Sequence, residues 1–355
     1  MKNILVTGGL GFIGSNTCIK LIENKYNLFI IDSLANSSFD VLENINLIRS
    51  KLNNNVFLKF FLGDIRNEKD LQKIFDYARK NKLEIDMVIH FAGIKSVSDS
   101  ESNPKIYWDV NYEGSKTLIK VMNANKCFEI VFSSSATIYG KNSNLILTEE
   151  SLIKPFNTYG QTKYAVEKYL QEKHAENPQK WNIVNLRYFN PIGAHSSGLL
   201  GESQKNKPQN IFPLLCMTAL NQKKFFEIYG RNWDTPDGTA IRDYIHIMDL
   251  AQAHLNAITY LSNKNSGIDS INLGTGKGIS VIELLKTFEK VNNTKIRYKF
   301  SKKRRGDVAR YVASNSLAWQ LLKWKPKLSL ERMCKDGWLY YLTKEKNCLT
   351  QNKYF

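Results

Sequence analysis

Short apolar runs alternate with longer amphipathic stretches through the first 190 or so residues. Runs of strand length lie at 3–7, 28–31, 56–62, 87–91, 130–132 and 183–186. They are brief and end at Gly, Asp, Ser or similar turn residues, which predicts buried strands rather than helices. Between them, apolar positions recur three and four residues apart. Ile13, Cys18, Ile19, Leu21 and Ile22 mark a helix over 12–24. Another is predicted over 104–124, with Asn103 as its cap and Pro104 at its first position. Apolar strands alternating with helices predict an α/β fold with a doubly wound parallel sheet. After about residue 190 the rhythm breaks. Long polar loops at 194–210 and 230–242 separate brief strands at 226–229, 271–273 and 296–300, and one clear helix over 279–291 begins at Ser280. The expected division is a doubly wound portion over 1–185, a smaller α+β ligand-binding portion over 186–345 and a polar tail over 346–355.

The first strand runs into Gly8-x-x-Gly11-x-x-Gly14, with Phe12 and Ile13 opening the helix. Glycines at this spacing permit a tight turn, let the backbone approach a pyrophosphate and let the helix pack on the strand, as in Rossmann-type folds. The helix N-terminus then offers free N–H groups to the phosphates. Asp32 ends the second strand, where a carboxylate accepts bonds from ribose hydroxyls and repels a 2′-phosphate. The expected cofactor is therefore NAD rather than NADP, although an aspartate there can also simply hold a turn.

Tyr159 and Lys163 are four residues apart, on one face of a helix that starts after Pro155 and Asn157. A free tyrosine has a pKa of about 10, too high for a base at neutral pH. A lysine ammonium and a positive nicotinamide ring would favour the phenolate. Ser133, Ser134 and Ser135 end the preceding strand, and Ser135 is expected to relay or hydrogen-bond the substrate proton. The five histidines have no metal-ligand spacing, so no metal is expected and His246 reads as structural. Tyr229 could stack on a base, but its sequence context favours core.

Composition changes this picture little. At 43% hydrophobic and 23% charged, the 355-residue chain is ordinary for a globular protein. No run is long enough to span a membrane, and the N-terminus reads as a strand, not a secretory signal. The five scattered cysteines form no CxxC pair, which suits a reducing, cytoplasmic setting. The net charge of +17 is spread along the chain, densest at Lys302-Lys303-Arg304-Arg305. It reads as a Lys-rich surface and a basic cleft for an anionic ligand, with no nucleic-acid or membrane partner expected.

These residues carry a resemblance. TGGLGFIGSNT, GDIRN, VIHFAGIKSV, SSSATIYG, YGQTK, LRYFNPIGAH, DGTAIRDYIHIMDLA and NLGTG, spread from Lys2 to about Trp338, resemble the UDP-glucose 4-epimerase family of the extended short-chain dehydrogenase/reductase superfamily. The resemblance implies tightly bound NAD and reversible C4 epimerisation of UDP-galactose and UDP-glucose through a transient 4-keto sugar, by a homodimer. Another NAD-dependent nucleotide-sugar epimerase, acting on N-acetylated UDP-hexoses, is the alternative. The catalytic set it implies is Ser135, Tyr159 and Lys163. Around the cofactor it places Gly8, Gly11, Phe12, Ile13, Gly14, Asp32, Asn36, Ser37, Asp64, Ile65, Phe91, Ala92, Gly93, Lys95, Asn111, Ser133, Tyr159, Lys163 and Tyr188. Around the UDP-sugar it places Lys95, Ser135, Thr137, Tyr159, Asn190, Asn210, Ile211, Tyr229, Arg242, Arg304, Asp307 and Tyr311, the last bordering C2 of the hexose. Arg242 and Arg304 suit diphosphate oxygens, since guanidinium forks match phosphate geometry. Related 4,6-dehydratases carry an Asp-Glu pair after the strand-end hydroxyl, where this chain has Ala136 and Thr137.

Overall fold

The strands at 3–7, 27–32, 58–62, 87–90, 129–135 and 182–188 form where the apolar runs lie; we name them β1 to β6. The computed structural model describes residues 1–52, 55–141, 145–203, 208–264, 266–304 and 306–351. Arg305 of the basic run and residues 352–355 of the expected tail lie outside the described residues.

The strand Gly267–Leu273 adds to β6, giving a seven-stranded sheet in the order 267–273, β6, β5, β4, β1, β2, β3. Every pairing in it is parallel. Strand order reverses between β1 and β4, and in such sheets ligands bind at the carboxyl ends beside that point. β1 is buried along its whole length. Ile4 and Val6 face one core with residues of helix α1 (Phe12–Glu23), while Leu5 faces the other. That two-sided burial is why its three central residues are all apolar.

Helices α2 (Phe39–Ser50) and α3 (Glu68–Lys80) follow β2 and β3. The segment after β4 differs from expectation. It consists of α4 (Val97–Ser102), α5 (Pro104–Tyr107), a π-helical turn over Trp108–Glu113 and α6 (Gly114–Ala124). Pro104 does open α5, but Asn103 makes no capping bond. Its amide donates to Asp99 Oδ1 at 2.9 Å instead, the kind of local competition for which Asn side chains are suited. α7 (Thr158–Glu176) starts at Asn157, whose side chain accepts from the Gly160 N–H.

The smaller portion holds α8 (Ile211–Ala219), a parallel pair of strands at 226–229 and 298–301, and a three-stranded sheet. Its core is Phe212, Leu215, Phe226, Ile228, Leu284, Leu285 and Phe288. The division at 185/186 is not respected by the main sheet. Both its edge strand 267–273 and α9 (Ile247–Ser262), which shares a core with α1, come from beyond it. Helix α10 (Val281–Asn292) has the expected start, with a capping box between Ser280 and Glu283. After α11 (Ser316–Leu322), helix α12 (Leu330–Gln351) runs through the point where a polar tail was expected.

Candidate active site

The turn between β1 and α1 leaves no room for a side chain at Gly8 or Gly14. Gly8 has φ +66°, and a Cβ there would stand 2.7 Å from the Ala92 N at the end of the neighbouring β4. A Cβ on Gly14 would strike the Gly8 carbonyl oxygen. The turn closes through Gly11 N donating to Gly8 O at 3.1 Å. Gly11 is the N-cap of α1 and offers no side chain to its first turn, so those N–H groups are left to an anion.

Asp32 is buried and holds the turn considered for it. Its Oδ2 accepts from Leu10 N at 3.0 Å, tying the second strand to the glycine turn. Its Oδ1 accepts from Leu34 N at 3.0 Å and Ser37 Oγ at 2.7 Å. A carboxylate offers about four acceptor positions, so one stays open to a ribose hydroxyl. In the same loop Asn36 has a buried Oδ1 without a hydrogen-bond partner. The glycine cradle, the spare acceptor and this orphaned atom fit a dinucleotide. Farther along, Arg66 bridges Asp64 and Asp109 at 2.6 Å each. Its hydrogen bond holds the Asp64 carboxyl below the usual carboxylate range. Ile65 beside it is buried.

Phe91, Ala92 and Gly93 leave the end of β4, where Phe91 N donates to Thr7 O at 3.0 Å. Asn111 lies in the π-helical turn and spends its amide on this loop. Its Oδ1 accepts from Ile94 N at 2.8 Å, and its Nδ2 donates to Ile94 O at 3.1 Å and to Thr162 Oγ1 at 3.2 Å. It therefore shapes the loop and fastens it to α7. Lys95 pairs with the buried Glu202 at 2.8 Å.

At the carboxyl end of β5, Ser135 is buried and accepts from Thr137 N at 3.2 Å and Thr137 Oγ1 at 3.0 Å. Tyr159, one helical turn before Lys163 on α7, lies close enough to Ser135 for that hydroxyl to favour its ionised form. The Lys163 ammonium donates to Ser133 O at 2.8 Å and lies 5.9 Å from the centre of the Tyr159 ring. So Ser135, Tyr159 and Lys163 do converge. Their electrostatics differ from the simple expectation. Burial pushes the Tyr159 phenol up to about 12, with the Ser135 hydroxyl opposing it. Burial also pushes the Lys163 ammonium down to about 8. In the protein alone desolvation outweighs Lys163 at Tyr159, so a further positive charge is needed to make a phenolate.

Two supports of this cluster were not foreseen. The first is an ion pair between Glu167 and Arg187, at 2.7 Å, with side chains only 0% and 4% exposed. Ser134 donates to the same Glu167 at 2.5 Å. Since Glu167 is one turn beyond Lys163, this pair fastens the Tyr159 helix to β5 and β6. The second is His254 on α9. Its Nδ1 faces the Leu250 carbonyl at 2.9 Å, which can only accept, so Nε2 is the acceptor for the Tyr188 hydroxyl. Burial holds His254 near 4 and therefore neutral, while it pushes the Tyr188 phenol up. The Ser133 hydroxyl opposes that rise. The spacing of Ile247, Leu250, His254, Ile258 and Leu261 was a readable helical signal for α9.

The remaining expected residues lie beyond β6, in the smaller portion and the segments that lead to it. Arg242 donates to Ile241 O at 2.8 Å and Val308 O at 2.9 Å and pairs with Asp307 at 3.2 Å. The Arg304 guanidinium lies 3.7 Å over the Tyr229 ring, so Tyr229 is half-buried beneath a cation rather than core. Tyr311 donates to Ala136 O at 2.6 Å, one residue from Ser135, and its ring lies 5.7 Å from that of Phe189. Asn190 is half-buried in a short strand after β6. Asn210 is the N-cap of α8 with Ile211 following, and its amide donates to Glu202 at 2.5 Å. His246 is structural, accepting from Met248 N at 3.0 Å to cap α9 and contacting Asp336 at 3.3 Å. Among the described residues no group of three His, Cys, Asp or Glu could hold a metal ion.

A family model described as the NAD dependent epimerase/dehydratase family matches residues 4–274. The chain is 42% identical over 339 residues to a bifunctional UDP-glucose 4-epimerase and UDP-xylose 4-epimerase of Pisum sativum, covering 95% of each. It is 41% identical over 335 residues to a UDP-glucose 4-epimerase of Dictyostelium discoideum, covering 94% of each. Among solved structures it resembles, at a TM-score of 0.92, a UDP-glucose-4-epimerase of Stenotrophomonas maltophila with bound NAD and formylated UDP-arabinopyranose. Identity there is 36%, over 98% of this chain and 100% of that one. The Bifidobacterium longum enzyme in complex with NAD+ and UDP gives 0.89 at 39% identity, covering 98% and 99%.

Proposed function

We propose that this chain, which belongs to the NAD dependent epimerase/dehydratase family, interconverts UDP-glucose and UDP-galactose at C4 of the hexose. The observation that carries the reading is the convergence of Tyr159, Ser135 and Lys163 at the sheet edge that also holds the glycine turn. NAD, when bound, reversibly accepts the hydrogen carried by C4. Gly8, Gly11 and Gly14 receive its pyrophosphate, and the remaining acceptor of Asp32 receives a ribose hydroxyl. Tyr159 takes the C4 hydroxyl proton directly or by way of Ser135, whose hydroxyl already faces the phenol. Lys163 fixes the base by gripping Ser133 O and contributes positive charge to favour the phenolate. Arg242 and Arg304 hold the diphosphate, so the uridine end stays anchored while the 4-keto hexose turns and presents its other face. The proton then returns from Tyr159. Ala136 and Thr137 supply no acid–base pair for eliminating water.

Tyr311 supports unsubstituted hexoses over N-acetylated ones, because its hydroxyl is tied across the site to Ala136 O. The four described cysteines are free and buried, which supports a reducing, cytoplasmic setting. No described helix is long and apolar enough to cross a membrane.

The experiment is turnover of UDP-galactose carrying deuterium at C4. Retention of the label at C4 of the UDP-glucose formed is expected. Loss of the label to water would refute transfer to a held cofactor.

A further inference from the structure

Two loops with expected ligand contacts meet each other across the site. Lys95, in the loop after β4, has its ammonium 5.6 Å from the centre of the Phe12 ring at the glycine turn. Asn210 opens α8 in the smaller portion. Glu202 joins them through one oxygen. Its Oε1 accepts from Lys95 Nζ at 2.8 Å and from Asn210 Nδ2 at 2.5 Å. The carboxylate is 5% exposed, so solvent ions screen it little. A second tie lies one residue along each loop, where Ser96 Oγ and Ser98 Oγ both donate to Gln209 Oε1 at 2.5 Å. The backbone at Glu202 is itself anchored. Tyr341 on α12 donates to its carbonyl at 3.0 Å, and neighbouring Gly201 bridges to Ala194.

We propose that Glu202 is a positioning residue. With Gln209 it clasps the loop after β4 to the start of α8, and this clasp sets how fast the sugar nucleotide enters and leaves. The inference rests on the reading of Lys95 and Asn210 as ligand contacts. A clasp resists passage in both directions. Opening it therefore raises the association and dissociation rates together and moves the dissociation constant little. Removing a negative charge near a diphosphate, with no clasp to open, has a different signature: faster capture and slower release. A purely structural role for Glu202 lowers thermal stability and leaves both rates alone.

Stopped-flow binding and displacement of UDP, followed by tryptophan fluorescence on the purified protein, separates these. Glu202→Gln removes the charge, whereas Gln209→Ala opens the second tie with every charge kept. Both variants are expected to release UDP faster, Glu202→Gln by about tenfold, the scale of one lost charge-assisted hydrogen bond, and Gln209→Ala by about fivefold, the scale of one ordinary hydrogen bond, with association faster as well. Release within twofold of wild type in both variants, or slower release in Glu202→Gln, overturns the clasp. If the wild type does not bind UDP, the functional reading fails and the clasp falls with it.

Discussion

Replacing Tyr159 with phenylalanine removes one oxygen from the centre of the account. With the phenol pushed up to about 12, the ionised fraction at pH 7 in the protein alone is roughly 10⁻⁵. Lowering it to neutrality takes about five pKa units, or ~7 kcal/mol of preference for the phenolate. Lys163 is already present in the protein that sets this value, so the positive ring of the cofactor, when bound, would have to supply that preference. Tyr159→Phe discards the base that this preference creates, and loss of a general base typically costs ~10²–10⁴-fold in rate. That corresponds to ~3–5 kcal/mol of barrier. Arg242 and Arg304 are untouched, so UDP affinity by titration calorimetry should stay within about twofold. Loss of the buried hydroxyl beside Ser135 should cost no more than ~1.5 kcal/mol of stability. The assay is conversion of UDP-galactose at saturation across pH 6–10. Wild-type turnover should rise with pH along an acidic limb set by the phenol, and the variant's residual rate should lack that limb. Turnover by Tyr159→Phe within a few-fold of wild type, with the same pH profile, would refute the assignment of the base.

Two further outcomes are expected. Lys163 has its folded pKa lowered to about 8, against about 10.5 when unfolded. Between these values the unfolded chain binds more protons, so the contribution to stability is full above about 10.5 and is lost as pH falls toward 8. Its span is about 3 kcal/mol. Urea unfolding at pH 7.5 and 10 should show wild type gaining on Lys163→Met by this order at the higher pH, and an unchanged difference would contradict the buried ammonium. Tyr311→Cys should raise kcat/KM for UDP-N-acetylglucosamine at least tenfold relative to UDP-glucose, because the ring tied to Ala136 O no longer fills the C2 side. Comparable efficiency on both substrates in the wild type would overturn that role, and the epimerase reading would survive it.

The strands of the sheet and the glycine turn were legible because each is local: an apolar run, then residues that a tight turn demands. Tyr159 and Lys163 were legible for the same reason, being one turn apart on one helix. What escaped was set by contacts distant in sequence. Glu167 meets Arg187 only because α7 packs on β6, and Glu202 meets Lys95 across 107 positions. The edge strand 267–273 joins β6, across the division placed at 185/186, and nothing in its own seven residues announces that partner. α9 is a different case, since its apolar spacing was present but its polar neighbours hid it. The elevated phenol of Tyr159 also required the structure, because burial is a property of the packed site and not of the motif.

The most direct test of the central claim is to mix the purified protein with UDP-galactose, with no nicotinamide cofactor added, and to follow the sugar nucleotides by chromatography. The account predicts a steady approach to a UDP-galactose and UDP-glucose equilibrium, with NAD alone recovered from the acid-denatured protein. Recovery of NADP instead, or no UDP-glucose even after NAD is supplied, would contradict it.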